Sequence, residues 1–205
     1  MSETALRMCE RLERLGFENL KVSLKAFDVR TTVEANLHFA RRSPLPLHIG
    51  VTEAGPVLAG TVRSAAALGI LLHQGVGDTL RVSLSASPEI EVRVGVHLLR
   101  SLGLRRGPVV VSCPTCGRTR APVQKVAARI ERLLERLGKD LVVAVMGCEV
   151  NGPGEARQAD IGVAFGPKGT GLLFERGTIV ESAPADRLER LLEQRLTAGD
   201  RDGGK

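Results

Sequence analysis

Thr79-Leu80-Arg81-Val82-Ser83-Leu84 alternates polar and apolar side chains, and so does the earlier stretch Lys21-Val22-Ser23-Leu24-Lys25. Period-two alternation marks a strand with one apolar and one polar face. Strands are predicted at Leu20–Lys25, Leu45–Val51 and Thr79–Leu84. Helical periodicity covers 4–16, stopping at Gly16, then Thr31–Arg42, Val57–His73 and Pro88–Leu102. Strands separated by helices of this length are parallel, each pair joined by a right-handed crossover. A parallel sheet packed on both faces reads as nearly continuous Val, Ile and Leu. Here Lys21, Ser23, Lys25, Arg81 and Ser83 fall on the second face. That face fits a barrel interior near its active end or, alternatively, an edge strand facing water. Three such βα units are too few to close a barrel, which needs about eight strands. They belong either to a small open sheet or to a larger domain whose front is missing from this chain.

From about residue 108 the pattern changes. Val109–Ser112 reads as a short strand running straight into Cys113. Pro122–Leu137 is an amphipathic helix with Val126, Ile130, Leu133, Leu134 and Leu137 on one face, and Leu141–Met146 is a buried strand ending at Gly147-Cys148. Short strands are expected at Ile161–Phe165, Gly171–Phe174 and Thr178–Glu181, a last helix at 184–196, and a frayed polar tail at 197–205. Arg105-Arg106-Gly107-Pro108 is the best boundary, dividing the chain into domains 1–107 and 108–196.

Composition narrows the class of function. Of 205 residues, 43 % are apolar and 25 % charged, which excludes collagen-like, low-complexity and disordered chains. No apolar run approaches the ~20 residues that cross a bilayer, and the N-terminus carries acids without a signal-peptide core. A soluble, cytoplasmic protein is expected. The net charge of +6 is spread over both halves, with 14 Lys/Arg against 10 Asp/Glu in residues 1–107 and 15 against 13 in 108–205. With no Trp or Tyr and five scattered Phe, a stacking platform for nucleic acid is not expected. A mildly basic enzyme acting on an anionic small molecule fits better.

Four cysteines without a secretion signal point to metal or redox chemistry rather than a disulfide framework. Cys9 sits at helical spacing with Leu6, Leu12 and Leu15 and reads as a core residue. The other three cluster: Cys113-Pro-Thr-Cys116 directly after one strand, and Cys148, followed by Glu149-Val150-Asn151-Gly152-Pro153-Gly154-Glu155, directly after another. Loops leaving the carboxyl ends of strands can bring their thiols together. Structural zinc wants four closed ligands, yet all four histidines (His38, His48, His73, His97) lie before residue 108. A redox dithiol uses Cys113 and Cys116 but leaves Cys148 idle. Three thiolates can hold three irons of a 4Fe–4S cluster, with Glu155 supplying an oxygen to the fourth. Spacing by itself leaves cluster, zinc and dithiol all open.

The stretches Ser-Cys113-Pro-Thr-Cys116-Gly-Arg and Val-Met-Gly-Cys148-Glu-Val-Asn-Gly-Pro-Gly-Glu155-Ala closely resemble the 4-hydroxy-3-methylbut-2-enyl diphosphate synthase family, iron–sulfur enzymes of the methylerythritol phosphate route to isoprenoids. Lys-Val-Ser-Leu-Lys25-Ala-Phe-Asp, Pro-Leu-His-Ile-Gly-Val-Thr52-Glu53-Ala-Gly and Gly-Asp-Thr-Leu-Arg81-Val-Ser83-Leu are similar to that family in the same order. The likeness spans about residues 3–196, and Ala-Phe-Asp (26–28) and Ser-Ala-Ser-Pro (85–88) depart slightly from the usual run. The resemblance implies an α/β fold: the C-terminal half of a TIM (β/α)8 barrel, lacking its first strands, followed by an α+β iron–sulfur domain similar to sulfite and nitrite reductases. It implies cluster ligands Cys113, Cys116, Cys148 and Glu155. It also implies reductive ring opening and dehydroxylation of a cyclic diphosphate, with reduced flavodoxin or ferredoxin as electron donor. The active form is expected to be a homodimer in which the cluster of one subunit closes over the barrel mouth of the other. Beside that, residue chemistry makes Lys25 and Arg81 candidate clamps for diphosphate oxygens, with Ser83 and Thr52 as hydroxyl donors. Glu53 is a candidate acid/base if burial raises its pKa. A non-catalytic iron–sulfur or zinc module working with a partner chain is the alternative.

Overall fold

A computed structural model describes residues 1–149, 154 and 157–198. The chain divides into two compact units, Met1–Arg105 and Arg106–Lys205.

The first unit runs α1 (Ser2–Arg14), α2 (Val29–Ala40), β1 (His48–Gly50), α3 (Val57–His73), β2 (Thr79–Arg81) and α4 (Pro88–Ser101). Each boundary has a local cause. Asp28 caps α2 by accepting the Thr31 N–H at 2.8 Å, and α4 opens on Pro88, whose missing N–H is no loss in a first turn. β1 and β2 pair in parallel, Ile49 opposite Leu80. The apolar members of the alternation point to the helices: Leu24, Leu47, Ile49 and Val82 are buried with Cys9, Phe39, Leu68 and Leu71 in one core. Lys21, Ser23 and Arg81 are exposed, as the alternation requires.

The expected strand at Leu20–Lys25 is corrected to a single parallel bridge between Val22 and Leu47. Beyond Val22 the backbone finds other partners. The Leu24 carbonyl accepts from the Asn36 amide at 2.8 Å, and both polar groups of Ala26 lie within reach of Thr32 Oγ1. β2 likewise stops at Arg81, because the Leu84 N–H turns to the Glu91 carboxylate at 2.7 Å and the Ser85 N–H to the Gly55 carbonyl at 3.0 Å.

The second unit holds β3 (Val109–Ser112), α5 (Val123–Leu137), β4 (Val142–Met146), β5 (Ile161–Phe165), a 3-10 turn at Pro167–Gly169, β6 (Thr170–Glu175), β7 (Thr178–Pro184) and α6 (Ala185–Ala198). The sheet order is β3-β4-β5-β6-β7, parallel across the first three strands and antiparallel across the last three. Val126, Ile130 and Leu134 of α5 and Leu188, Leu192 and Leu196 of α6 repeat every four residues. They are buried with Val143, Val145, Val163, Phe165 and Leu173. Ala144, Met146, Ala164 and Phe174 form a smaller buried cluster with Ala159. The predicted tail is corrected at its start, since α6 continues through Thr197 to Ala198; residues 199–205 lie outside the described residues. Among the described residues no helix is long and apolar enough to cross a membrane.

At Gly162 both β4 and β6 come close to β5. A Cβ there would meet Phe174 Cζ at 2.5 Å and the Ala144 carbonyl oxygen at 2.7 Å. The oxygen belongs to a paired strand and cannot retreat. Gly162→Ala should therefore lower the stability of the second unit by about 1–3 kcal/mol, measured as a reduced urea midpoint.

Candidate functional site

In the first unit the polar faces of three neighbouring segments make one surface. Ser23 Oγ donates to the His48 carbonyl at 3.1 Å, and the Lys25 ammonium donates to Ser23 Oγ. His48 Nδ1 and Thr79 Oγ1 share a hydrogen bond of 2.9 Å. Gly50 leaves room for the others. A Cβ there would stand 2.7 Å from the Arg81 carbonyl oxygen, 3.0 Å from Lys25 Cε and 3.5 Å from Arg81 Cβ, so the Lys25 stem passes over Gly50 beside Arg81.

Like charges accumulate on this surface. Partial burial, then the nearby Arg81 and Lys21, hold the Lys25 ammonium below its ordinary pKa. Burial, followed by Lys25, Lys21 and Arg81, lowers the pKa of His48 as well, against a smaller raising effect from its hydrogen bond with Thr79. Cations gathered on one surface in this way are chemically suited to an anionic ligand. Ser83 is half-buried on the same alternation.

Thr52 and Glu53 follow β1. The Thr52 N–H donates to the Ala26 carbonyl at 3.0 Å, tying the two segment ends together. Glu53 has φ +51, a left-handed conformation that costs a non-glycine residue energy and is held here by its neighbours. Ala54 is fully buried, and its carbonyl accepts from Arg63 Nη1 at 2.6 Å. The Glu53 side chain is exposed, so the burial expected of an acid/base is not supplied by the described residues.

The sequence alone gives His48 no role, yet it joins this surface. The signal was there in Leu47-His48-Ile49-Gly50, whose buried Leu47 and Ile49 put His48 on the polar face by parity. The strand is only three residues long, too short for its alternation to stand out.

The cysteines belong to the second unit. β3 and β4 are parallel neighbours with Ser112 opposite Val145, so the loops carrying Cys113 and Cys148 leave the same sheet edge. They touch. The Gly147 N–H donates to Cys113 Sγ at 3.1 Å, and the Arg120 N–H to the Gly147 carbonyl at 2.8 Å. Gly147 fits because it lacks a side chain: a Cβ would meet Val123 Cγ2 at 2.9 Å and Thr119 Cγ2 at 3.1 Å. The Cys116 and Thr119 residues close a small turn, with Cys116 N–H to Thr119 Oγ1 at 3.0 Å and Thr119 N–H to the Cys116 carbonyl at 3.0 Å.

Electrostatics divide the thiols. The Arg118 N–H, the Thr119 hydroxyl and the Arg118 guanidinium draw the exposed Cys116 thiol below its ordinary pKa. Burial, and then Glu13, push Cys9 upward, in keeping with its place in the core. Cys148 is half-buried and lines a cleft of about 160 Å³ with Arg118, Arg120, Glu149 and Phe165. The donor chemistry suits thiolate ligands, since backbone N–H groups favour charge on sulfur. Among the described residues, however, no three Cys, His, Asp or Glu side chains form a group that would hold a metal ion. The fold joins Cys113 to the backbone beside Cys148 without gathering all three sulfurs. Glu155 lies outside the described residues.

Two family descriptions match this chain, the GcpE TIM-barrel domain over residues 1–96 and the GcpE protein C-terminal domain over residues 109–198. Among curated proteins, the 4-hydroxy-3-methylbut-2-en-1-yl diphosphate synthase (flavodoxin) of Desulfotalea psychrophila is 51 % identical over 187 residues, 91 % of this chain and 51 % of that protein. Those of Natranaerobius thermophilus and Geobacter sulfurreducens are 50 % and 52 % identical, each over 95 % of this chain and over 54 % and 55 % of their own length. The chain spans about half the length of the curated relatives it matches.

The thiol environments predict an order of reaction. In the metal-free chain at rising pH, iodoacetamide should alkylate Cys116 at a lower pH than Cys9, because a lowered pKa yields thiolate earlier. Cys9 should react only once the protein is unfolded, as peptide-resolved mass spectrometry would report.

Proposed function

This chain belongs to the GcpE family, and from that premise we propose that it forms the C-terminal half of a (β/α)8 barrel followed by an α+β iron–sulfur domain similar to those of sulfite and nitrite reductases. Its reaction is the reductive ring opening and dehydroxylation of 2-C-methyl-D-erythritol 2,4-cyclodiphosphate to 4-hydroxy-3-methylbut-2-enyl diphosphate in isoprenoid biosynthesis. The relatives are named for that product and for flavodoxin. A reduced flavodoxin or ferredoxin is the electron donor, and the working form is a homodimer in the cytoplasm. The observation that carries the reading is the Gly147 N–H bond to Cys113 sulfur, which brings two cysteine loops of the family pattern into contact.

The chain's own residues have separable tasks. Lys25 and Arg81 neutralise the diphosphate and fix its oxygens, and the hydroxyls of Ser83 and Thr52 complete its hydrogen bonds. Their crowding is relieved when the anion binds, so part of the repulsion seen at Lys25 is recovered as affinity. Glu53, in the turn after β1, is the acid/base for the hydroxyl that leaves as water, a role that needs the bound substrate to bury its exposed carboxyl. Cys113, Cys116, Cys148 and Glu155 would hold a 4Fe–4S cluster, and the surroundings of Cys116 favour its thiolate. When bound, the cluster supplies single electrons and a Lewis-acidic iron.

Two measurements test the reading. Anaerobic reconstitution with iron and sulfide should give a brown protein holding about four irons per chain. Cys148→Ser should lose most of that iron, and a colourless protein retaining zinc alone would refute the assignment. Lys25→Met and Arg81→Met should each weaken pyrophosphate binding about tenfold or more by calorimetry, the loss expected for a charge-assisted hydrogen bond.

A further inference from the structure

We infer that Thr32 and Asn36 of α2 are positioning residues for Lys25: their side chains hold the backbone on both sides of it and so decide where its ammonium stands on the polar face. The inference rests on reading Lys25 as a ligand for diphosphate oxygen. Asn36 is fully buried, and its Nδ2 donates to the Leu24 carbonyl at 2.8 Å and the Thr32 carbonyl at 2.7 Å. Both acceptors are carbonyls, so both amide hydrogens are used and the orientation of the amide is fixed. Thr32 is also fully buried. Its Oγ1 accepts from the Ala26 N–H at 3.3 Å and stands 3.2 Å from the Ala26 carbonyl and 2.8 Å from that of Asp28. Residues 24 and 26, the immediate neighbours of Lys25, are therefore held by one helix.

These side chains pair the backbone where the strand ladder ends, and they do so on both sides of Lys25. Val22 is the only residue of its segment with a strand partner among the described residues, so a continued β ladder was the simpler solution. Asn36 Oδ1 is buried with no hydrogen-bond partner among the described residues, and asparagine is a weak helix former. A leucine would remove that unpaired oxygen but would leave the Leu24 carbonyl without its donor. What the polar pair adds is a fixed backbone at a point of electrostatic conflict. Lys25 is partly buried beside Arg81, with Lys21 on the same surface, and both burial and repulsion favour a flexible lysine moving outward into water. Holding residues 24 and 26 keeps the cations together until an anion arrives.

The test reads Lys25 itself. Residue-resolved acylation of the full chain with an activated ester across pH would give the labelling midpoint of Lys25 in the wild type, Thr32→Val, Thr32→Ser and Asn36→Leu. Folding is verified for each by circular dichroism and a cooperative urea transition. In Thr32→Val and Asn36→Leu the midpoint should rise by about half a pH unit or more as Lys25 moves away from Arg81 and into water. Thr32→Ser, which keeps the hydroxyl, should match the wild type. Should Asn36→Leu not fold, the contrast between valine and serine at position 32 decides alone. Pyrophosphate affinity supplies the second arm: Thr32→Val should cost several-fold in the wild-type background and less than about twofold in Lys25→Met. Unmoved midpoints in folded variants, or equal losses in both backgrounds, overturn the inference. Failure of wild-type protein to bind pyrophosphate would sink the diphosphate reading instead, while the labelling shift would still decide whether α2 positions Lys25.

Discussion

Parallel pairing makes neighbouring strands end on the same edge of a sheet, and both groups of candidate functional side chains depend on that constraint. In the second unit, Ser112 opposite Val145 places the next residues of β3 and β4 side by side, so Gly147 can donate to Cys113 sulfur. In the first, Gly50 opposite Arg81 lets the Lys25 stem pass over it beside Arg81. Residues far apart in the chain become neighbours because a helix returns the chain each time to the same starting edge.

The two glycines at these edges work by omission. A side chain at position 50 would collide with Arg81 and Lys25, and one at 147 with Val123 and Thr119. Each absence lets a charged or nucleophilic group approach backbone closely. The electrostatic consequences run in opposite directions. Around Lys25 and His48, burial and neighbouring cations destabilise further positive charge. Around Cys116, N–H groups and Arg118 favour negative sulfur.

Much of the fold is written in local punctuation. Val57–His73 is readable to the residue, since Pro56 precedes it, Gly75 follows it and apolar residues recur between them. The strands Val109–Ser112 and Ile161–Phe165 are equally plain because each is a short apolar run with turn residues nearby. Leu20–Lys25 is misread for a physical reason: its alternation is that of a strand, yet the partners of residues 24 and 26 are side chains of α2, which periodicity does not register. Glu53 poses a similar limit, since nothing in Val51-Thr52-Glu53-Ala54 announces a left-handed backbone.

The sequence by itself determined the membership of this chain in its family, the parity that sends Lys25 and Arg81 to one face, and the spacing that makes Cys113, Cys116 and Cys148 candidates for one centre. These are properties of residue type and period, fixed before any distant contact forms. Only the tertiary structure decided that His48 joins the cationic surface, that Thr32 and Asn36 grip the backbone around Lys25, and that Cys113 meets the backbone next to Cys148 while the three thiols remain ungathered. Each of those outcomes turns on hydrogen bonds between segments remote in sequence, whose partners are chosen by strand register and helix packing rather than by neighbouring residues.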